Sequence, residues 1–234
     1  MKITKIVITG GPCAGKSSAM EYLEEKISNL GYKVIFVAET ATELMTGGVT
    51  PLSCDSVAEY QKLQMRLQIE KEKIFEQAAK TMNFDKVLIV CDRGTLDCKA
   101  YMEEADFIAA TQSIGTNETL LRDNYDAVFH LVTTAKGALH AYNTENNSVR
   151  TETPKMAAEL DDKLISAWTG HPHFRVIDNS TDFEDKKKRL VDEIAAFLGE
   201  PKPYEIERKF LIEYPNVEWL ANNPACKRVE IIQT

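Results

Sequence analysis

Gly10-Gly11-Pro12-Cys13-Ala14-Gly15-Lys16-Ser17 places a glycine, four residues, then Gly-Lys-Ser, with Ser18 next in line. This is the phosphate-binding loop pattern, in which glycines let the backbone wrap an anion and the lysine meets its charge. The flanks decide whether the pattern can act. Ile6, Val7 and Ile8 form a short apolar run consistent with a buried strand, and Met20, Leu23, Ile27 and Leu30 mark one face of a helix that Gly31 ends. Lys16 and Ser17 therefore open a helix whose unpaired N–H groups and positive dipole end face the same point as the loop amides. Such a nest binds polyphosphate. Cys13 sits inside it, where a helix N-terminus can lower a thiol pKa and make nucleotide binding oxidation-sensitive; an inert loop position is the simpler reading.

Other chemistry belongs at the ends of the remaining apolar runs, because an open parallel sheet collects ligands at the carboxyl ends of its strands. Ala38-Glu39-Thr40 follows one run and Cys91-Asp92-Arg93-Gly94 another. An acidic residue there can organise Mg2+ through water, and a neighbouring arginine can neutralise charge on a transferring phosphoryl group. The plainer alternative is a helix-capping Asp92 beside a surface Arg93, with Glu39 a structural carboxylate bonded to nearby amides.

The elements that must hold these residues follow from periodicity. Strand-like runs at Ile3 to Ile8, Val34 to Ala38, Val87 to Cys91, Ala127 to Val132 and Phe174 to Ile177 alternate with helical patterns. That alternation predicts an α/β fold of three layers, with a mostly parallel five-stranded sheet covered on both faces. A long helix from about Val57 to Lys80 carries a capping box in Ser56 and Glu59. Another helix starts at Thr153-Pro154, with Met156, Leu160, Leu164 and Trp168 as its buried stripe and Gly170 after its end. A last one runs from about Phe183 to Leu198 between Asp182 and Gly199. The helices from Val57 to Lys80 and from Asp97 to Arg122 are expected to wall an acceptor pocket, and the flexible Gly47-Gly48-Val49-Thr50-Pro51 either shapes that pocket or is a plain surface turn. Glu200-Pro201-Lys202-Pro203 is the expected domain boundary, dividing residues 1–200 from 201–234.

Composition bounds the function. At 234 residues and 44% hydrophobic content the chain can bury one sizeable core and a second small unit. A formal net charge of -8 argues against general nucleic-acid or anionic-membrane binding, both of which demand a basic surface. No signal-like leader or bilayer-length apolar run is visible. Cys13, Cys54, Cys91, Cys98 and Cys226 show no zinc-ligand spacing, so reduced cysteines and a cytoplasmic location are expected. His171 and His173 flank Pro172 without a third ligand and read as a solvated turn.

The loop Gly10 to Ser17, the Glu39 at one strand end and the Asp92-Arg93 pair at another together resemble a P-loop kinase-type NTPase. Within that type the chain looks like the nicotinamide riboside kinase-like group, often labelled an AAA-type ATPase domain, over residues 1 to about 200. The resemblance implies nucleotide contacts from Gly10, Gly11, Pro12, Cys13, Ala14, Gly15, Lys16, Ser17 and Ser18. Lys16 would reach the β and γ phosphates and Ser17 would ligate Mg2+. Glu39 is the implied general base toward an acceptor hydroxyl, Asp92 the metal-organising residue and Arg93 a charge stabiliser. A basic lid over the phosphates is also implied, in the place of Asn143 to Thr153, with Arg150 as its cation and Lys136 and Lys155 as weaker candidates. The base of the nucleotide would rest near Asp178-Asn179-Ser180-Thr181. Thr133-Thr134-Ala135-Lys136-Gly137 lacks the final Asp of a guanine-reading motif, so ATP is preferred, with GTP as the alternative. The expected activity is a kinase acting on an unidentified, nucleoside-like small molecule; the alternative is a regulatory hydrolytic switch.

The tail has a separate resemblance. Glu205-Ile206-Glu207-Arg208-Lys209 reads Glu-x-Glu-x-Lys, the opening signature of the CYTH, or triphosphate tunnel, superfamily, and Ile231-Ile232-Gln233-Thr234 is similar to the start of its second strand. In a closed barrel those side chains would face the lumen, Glu toward a divalent cation and Lys toward a phosphate. A short C-terminal β segment is expected here, as the start of a tunnel domain completed in a longer two-domain protein.

Overall fold

The structure is a computed structural model that describes residues 1–138 and 153–203. Arg150, Cys226 and the Glu205 to Lys209 motif lie outside the described residues. Met1–Pro203 forms one compact unit.

Five strands build one sheet: β1 (Lys2–Thr9), β2 (Lys33–Val37), β3 (Lys86–Asp92), β4 (Ala127–Leu131) and β5 (Phe174–Ile177). Their order is β2-β3-β1-β4-β5 and every pairing is parallel. The expected strands are all present, and the sheet is wholly rather than mostly parallel. Central strands covered on both faces need apolar residues at every position rather than at alternate ones. Ile6, Val7 and Ile8 and the run Val87 to Cys91 meet that demand and are fully buried.

Helices α1 (Lys16–Ser28) and α7 (Phe183–Leu198) cover one face. Helices α3 (Val57–Thr81) and α6 (Pro154–Trp168) lie with a 3-10 helix (Thr95–Tyr101), α4 (Glu104–Ser113) and α5 (Glu118–Arg122) on the other. The short α2 (Thr40–Thr46) follows β2. Caps explain several boundaries. The side chains of Ser56, Thr153 and Asp182 accept from backbone N–H groups three residues on, and Gly199 ends α7 in the left-handed region.

Four local expectations need correction. Only half of the capping box forms, because the Glu59 carboxylate pairs with Lys62 instead. The stretch from Asp97 to Arg122 is not one helix: extended backbone at Met102 and the left-handed Gly115 break it into three pieces. The buried face of α6 is Ala157, Asp161, Leu164, Ala167 and Trp168, while Met156 is exposed. Leu164 and Trp168 are buried as expected, but Ala157 and Asp161 take the places expected for Met156 and Leu160, because the buried face includes a carboxylate. His171 is buried rather than solvated; its Nε2 meets the Tyr125 carbonyl at 2.9 Å and its Nδ1 accepts from the His173 N–H.

Candidate active site

A cleft of about 1480 Å³ opens at the carboxyl ends of the strands and is lined by Cys13 through Ser18, Glu39 and Asp92. One rim adds Phe36, Thr42 and Glu43 and the other Asn179, Thr181 and Phe183. Pockets for one small molecule are usually about 300–1,000 Å³, so there is room for two ligands side by side.

The loop from Gly10 to Gly15 is shaped by what grips its carbonyl groups. Arg93 Nη1 donates to the Gly10 carbonyl at 3.3 Å, Thr134 Oγ1 to Cys13 at 3.1 Å and Lys186 Nζ to Ala14 at 3.3 Å, and Thr133 Oγ1 takes Pro12. Because a peptide unit is planar and trans, outward-held carbonyls at residues 12 to 14 direct the N–H groups of residues 13 to 15 to the other side, where these residues line the cleft. Left-handed backbone at Cys13 (φ 57) and Gly15 (φ 85) makes the reversal. Space also demands glycine: a Cβ on Gly10 would strike the Leu131 carbonyl, and one on Gly15 would strike the Phe183 ring. Ser17 and Ser18 are exposed, whereas Lys16 is only 7% exposed.

Glu39 and Asp92 both line this cleft, and Arg93 supports Glu39 without lining it. Arg93 Nε pairs with Glu39 Oε1, Thr42 donates to Glu39 Oε2 at 2.5 Å, and Arg93 Nη1 lies 3.2 Å from Asp97 Oδ2. Arg93 reaches this position from a left-handed residue (φ 69), uncommon for a side chain of its size. Burial alone would raise the Glu39 carboxyl, but Arg93 and then Lys16 hold it down at about 2. Burial raises Asp92, and Lys16 offsets part of that rise. Glu39 is therefore ionised at neutral pH. Asp92 Oδ1 is buried with no hydrogen-bond partner among the described residues. A buried carboxylate oxygen and the Ser17 hydroxyl on one cleft are a hard-oxygen set that suits Mg2+. No group of three metal-ligating side chains occurs among the described residues, so water or phosphate oxygens would complete the shell.

Two supporting carboxylates escaped the sequence reading. Asp97, 1% exposed, accepts from Thr9 Oγ1 at 2.6 Å and from Trp168 Nε1 at 2.6 Å, and so fixes the far side of Arg93. Asp161 of α6 is fully buried. Its Oδ1 accepts from the N–H of Gly11 at 3.0 Å and of Thr133 at 3.2 Å and meets His130 Nε2 at 2.9 Å, while its Oδ2 meets Lys136 at 3.0 Å. The only sequence signal was an acidic residue inside an apolar stripe. Lys136 is thus engaged by Asp161 and Asp162, and Lys155 is an exposed residue 3.9 Å from Glu159.

Asp161 yields a stability prediction. Its burial opposes ionisation, but His130, Lys136 and the Gly11 N–H outweigh that and hold its pKa near 2. A carboxyl depressed in the folded state adds stability above its unfolded pKa and loses it as pH falls through the folded value. Urea unfolding of the parent should therefore show a loss between about pH 4 and about pH 2 that Asp161→Ala lacks. At neutral pH the variant should be less stable by about 3–5 kcal/mol, the cost of breaking a buried charge pair. Equal stability of parent and variant at pH 7 would show that Asp161 does not anchor the loop.

A family model described as an AAA domain matches residues 5–186. Among solved structures, that of deoxyadenosine kinase from M. mycoides with bound dATP superposes with a TM-score of 0.54 at 18% sequence identity, covering 82% of this chain and 99% of that one. That likeness shows an α/β fold of the P-loop NTPase type. No curated protein matches the sequence. No described helix is long and apolar enough to cross a membrane.

Proposed function

The chain belongs to the AAA domain family, and we propose that it is a Mg-ATP-dependent kinase that moves the γ-phosphoryl group to a hydroxyl of a nucleoside-like small molecule. One observation carries this reading: the phosphate loop and Glu39, which Arg93 holds in place, line a single cleft with room for both reactants. A hydrolytic loop alone needs no carboxylate on the far rim. The similar fold of a deoxyadenosine kinase holding dATP supports an adenine nucleotide and a nucleoside-type acceptor.

In this reading the amides of residues 13 to 15 and the Lys16 ammonium bind the terminal phosphates. Mg2+, held by Ser17 and Asp92, would neutralise phosphate charge when bound. Glu39 accepts a hydrogen bond from the acceptor hydroxyl and then its proton, while Arg93 and Thr42 fix the carboxylate. Arg93 also links Glu39 to the Gly10 carbonyl, so the base and the phosphate loop share one rigid support. The Glu-x-Glu-x-Lys motif supports a tunnel domain beginning after residue 200.

The test is a product-detected phosphorylation screen of ATP with nucleosides, nicotinamide riboside and other small hydroxyl compounds. A phosphorylated acceptor formed in step with ADP is expected. ADP formation that ignores every acceptor would favour the switch instead. The acid limb of kcat/KM is a second check: with Glu39 held near pKa 2, the rate should stay level down to about pH 5, because the base is still ionised there. A fall centred near pH 6 would assign the base to another group.

A further inference from the structure

Lys186 lies on the first turn of α7 beside Lys187 and Lys188, which pair with Glu184 and Asp185 at the surface. Lys186 turns the other way and is only 2% exposed. Its Nζ donates to three oxygens, the Val132 carbonyl at 2.6 Å, Asn179 Oδ1 at 2.8 Å and the Ala14 carbonyl at 3.3 Å. An ammonium has three N–H donors, so this set uses every one, and none goes to a carboxylate. Asn179 in turn donates through Nδ2 to the carbonyls of Thr133 at 2.8 Å and Lys136 at 2.7 Å. One buried lysine thus joins the phosphate loop, the end of β4 and the loop before α7.

The Ala14 contact bears on nucleotide binding. Holding that carbonyl toward Lys186 turns the N–H of Gly15 toward the cleft. Gly15, at φ 85, has the backbone freedom of glycine, so nothing intrinsic keeps this peptide unit in one orientation. Resting on the nucleotide reading above, we infer that Lys186 is a positioning residue whose ammonium locks the Ala14-Gly15 peptide with its N–H presented to the terminal phosphates.

The lock depends on a proton. A neutral amine has two N–H donors and a lone pair and cannot serve three oxygen acceptors. Burial lowers Lys186 to about 8; of the charged groups around it, Asp161 of α6 and Asp178 before α7 oppose the fall and Arg189 of α7 adds to it. The proton is held below that value and lost above it, so nucleotide affinity falls as pH rises through about 8.

Calorimetric titration of a nonhydrolysable ATP analogue with Mg2+, from about pH 6.5 to about pH 9.5, tests this on the parent, Lys186→Arg and Lys186→Met. The parent should weaken about 8-fold by pH 9.5, as the protonated fraction shrinks and leaves a neutral lysine that binds like Lys186→Met. Lys186→Arg, always charged, should change less than about 3-fold over the range. Lys186→Met should bind about tenfold more weakly than the parent at neutral pH, the worth of one charge-assisted hydrogen bond, and show no further slope. A parent affinity level to pH 9.5, or a slope that persists in either variant, overturns the inference. A parent that binds no analogue at any pH overturns the nucleotide reading and this inference with it.

Discussion

Lys16→Ala should leave the chain folded and cut affinity for Mg-ATP by about 10–100-fold, the worth of a hydrogen bond between charged groups. The reason lies in where Lys16 stands. It is nearly buried, at the cleft wall, close enough to lower both Glu39 and Asp92 electrostatically. Without it two carboxylates face the triphosphate with no adjacent ammonium between them and the phosphates. Asp92 should then titrate still higher, since the cation that offsets its burial is gone. Calorimetry measures the affinity, and circular dichroism confirms that the parallel sheet survives. Unchanged affinity in a folded variant would remove the loop from the account.

Glu39→Gln has the second large effect and a different signature. Glutamine keeps the shape and accepts from Thr42, but it cannot take a proton and pairs poorly with Arg93. ATP affinity should stay within about threefold of the parent, because residues 13 to 17 are untouched, while kcat falls by about 10²–10⁴, the usual contribution of a general base. Steady-state rates with the best acceptor from the screen, set beside analogue binding, separate the two effects. Parental kcat in Glu39→Gln would make Glu39 a structural partner of Arg93 and nothing more.

Much of this was legible in the sequence because the informative signals are local. Parallel strands buried on both faces must be apolar throughout, and the runs around Ile6 to Ile8 and Val87 to Cys91 show it plainly. The loop from Gly10 to Ser17 carries its own spacing. Caps such as Ser56 and Asp182 act on amides three residues away. What escaped depends on partners far along the chain. Asp161 meets Gly11 across 150 residues and Lys186 meets Ala14 across 172, and no periodicity marks a charged residue as buried. Helix α2 was missed because Thr40 is its only buried residue, so it has no apolar stripe to read. It nevertheless supplies Thr42 and Glu43 to the cleft, in the place where walls from Val57 to Lys80 and Asp97 to Arg122 were expected. Helix α3 contributes from behind: Gln68 bonds to Thr40, and Lys71 bonds to the Ala38 carbonyl at 2.9 Å and to Glu43 at 2.6 Å.

In the proposed function the loop from Gly10 to Ser17 grips a magnesium-bound triphosphate beside the Glu39-Arg93 pair. A crystal structure with a nonhydrolysable ATP analogue and Mg2+ tests it most directly. Terminal phosphates are expected on the amides of residues 13 to 15 and on Lys16, with the γ-phosphate facing Glu39. An analogue bound elsewhere, or one whose γ-phosphate points away from Glu39, would contradict it.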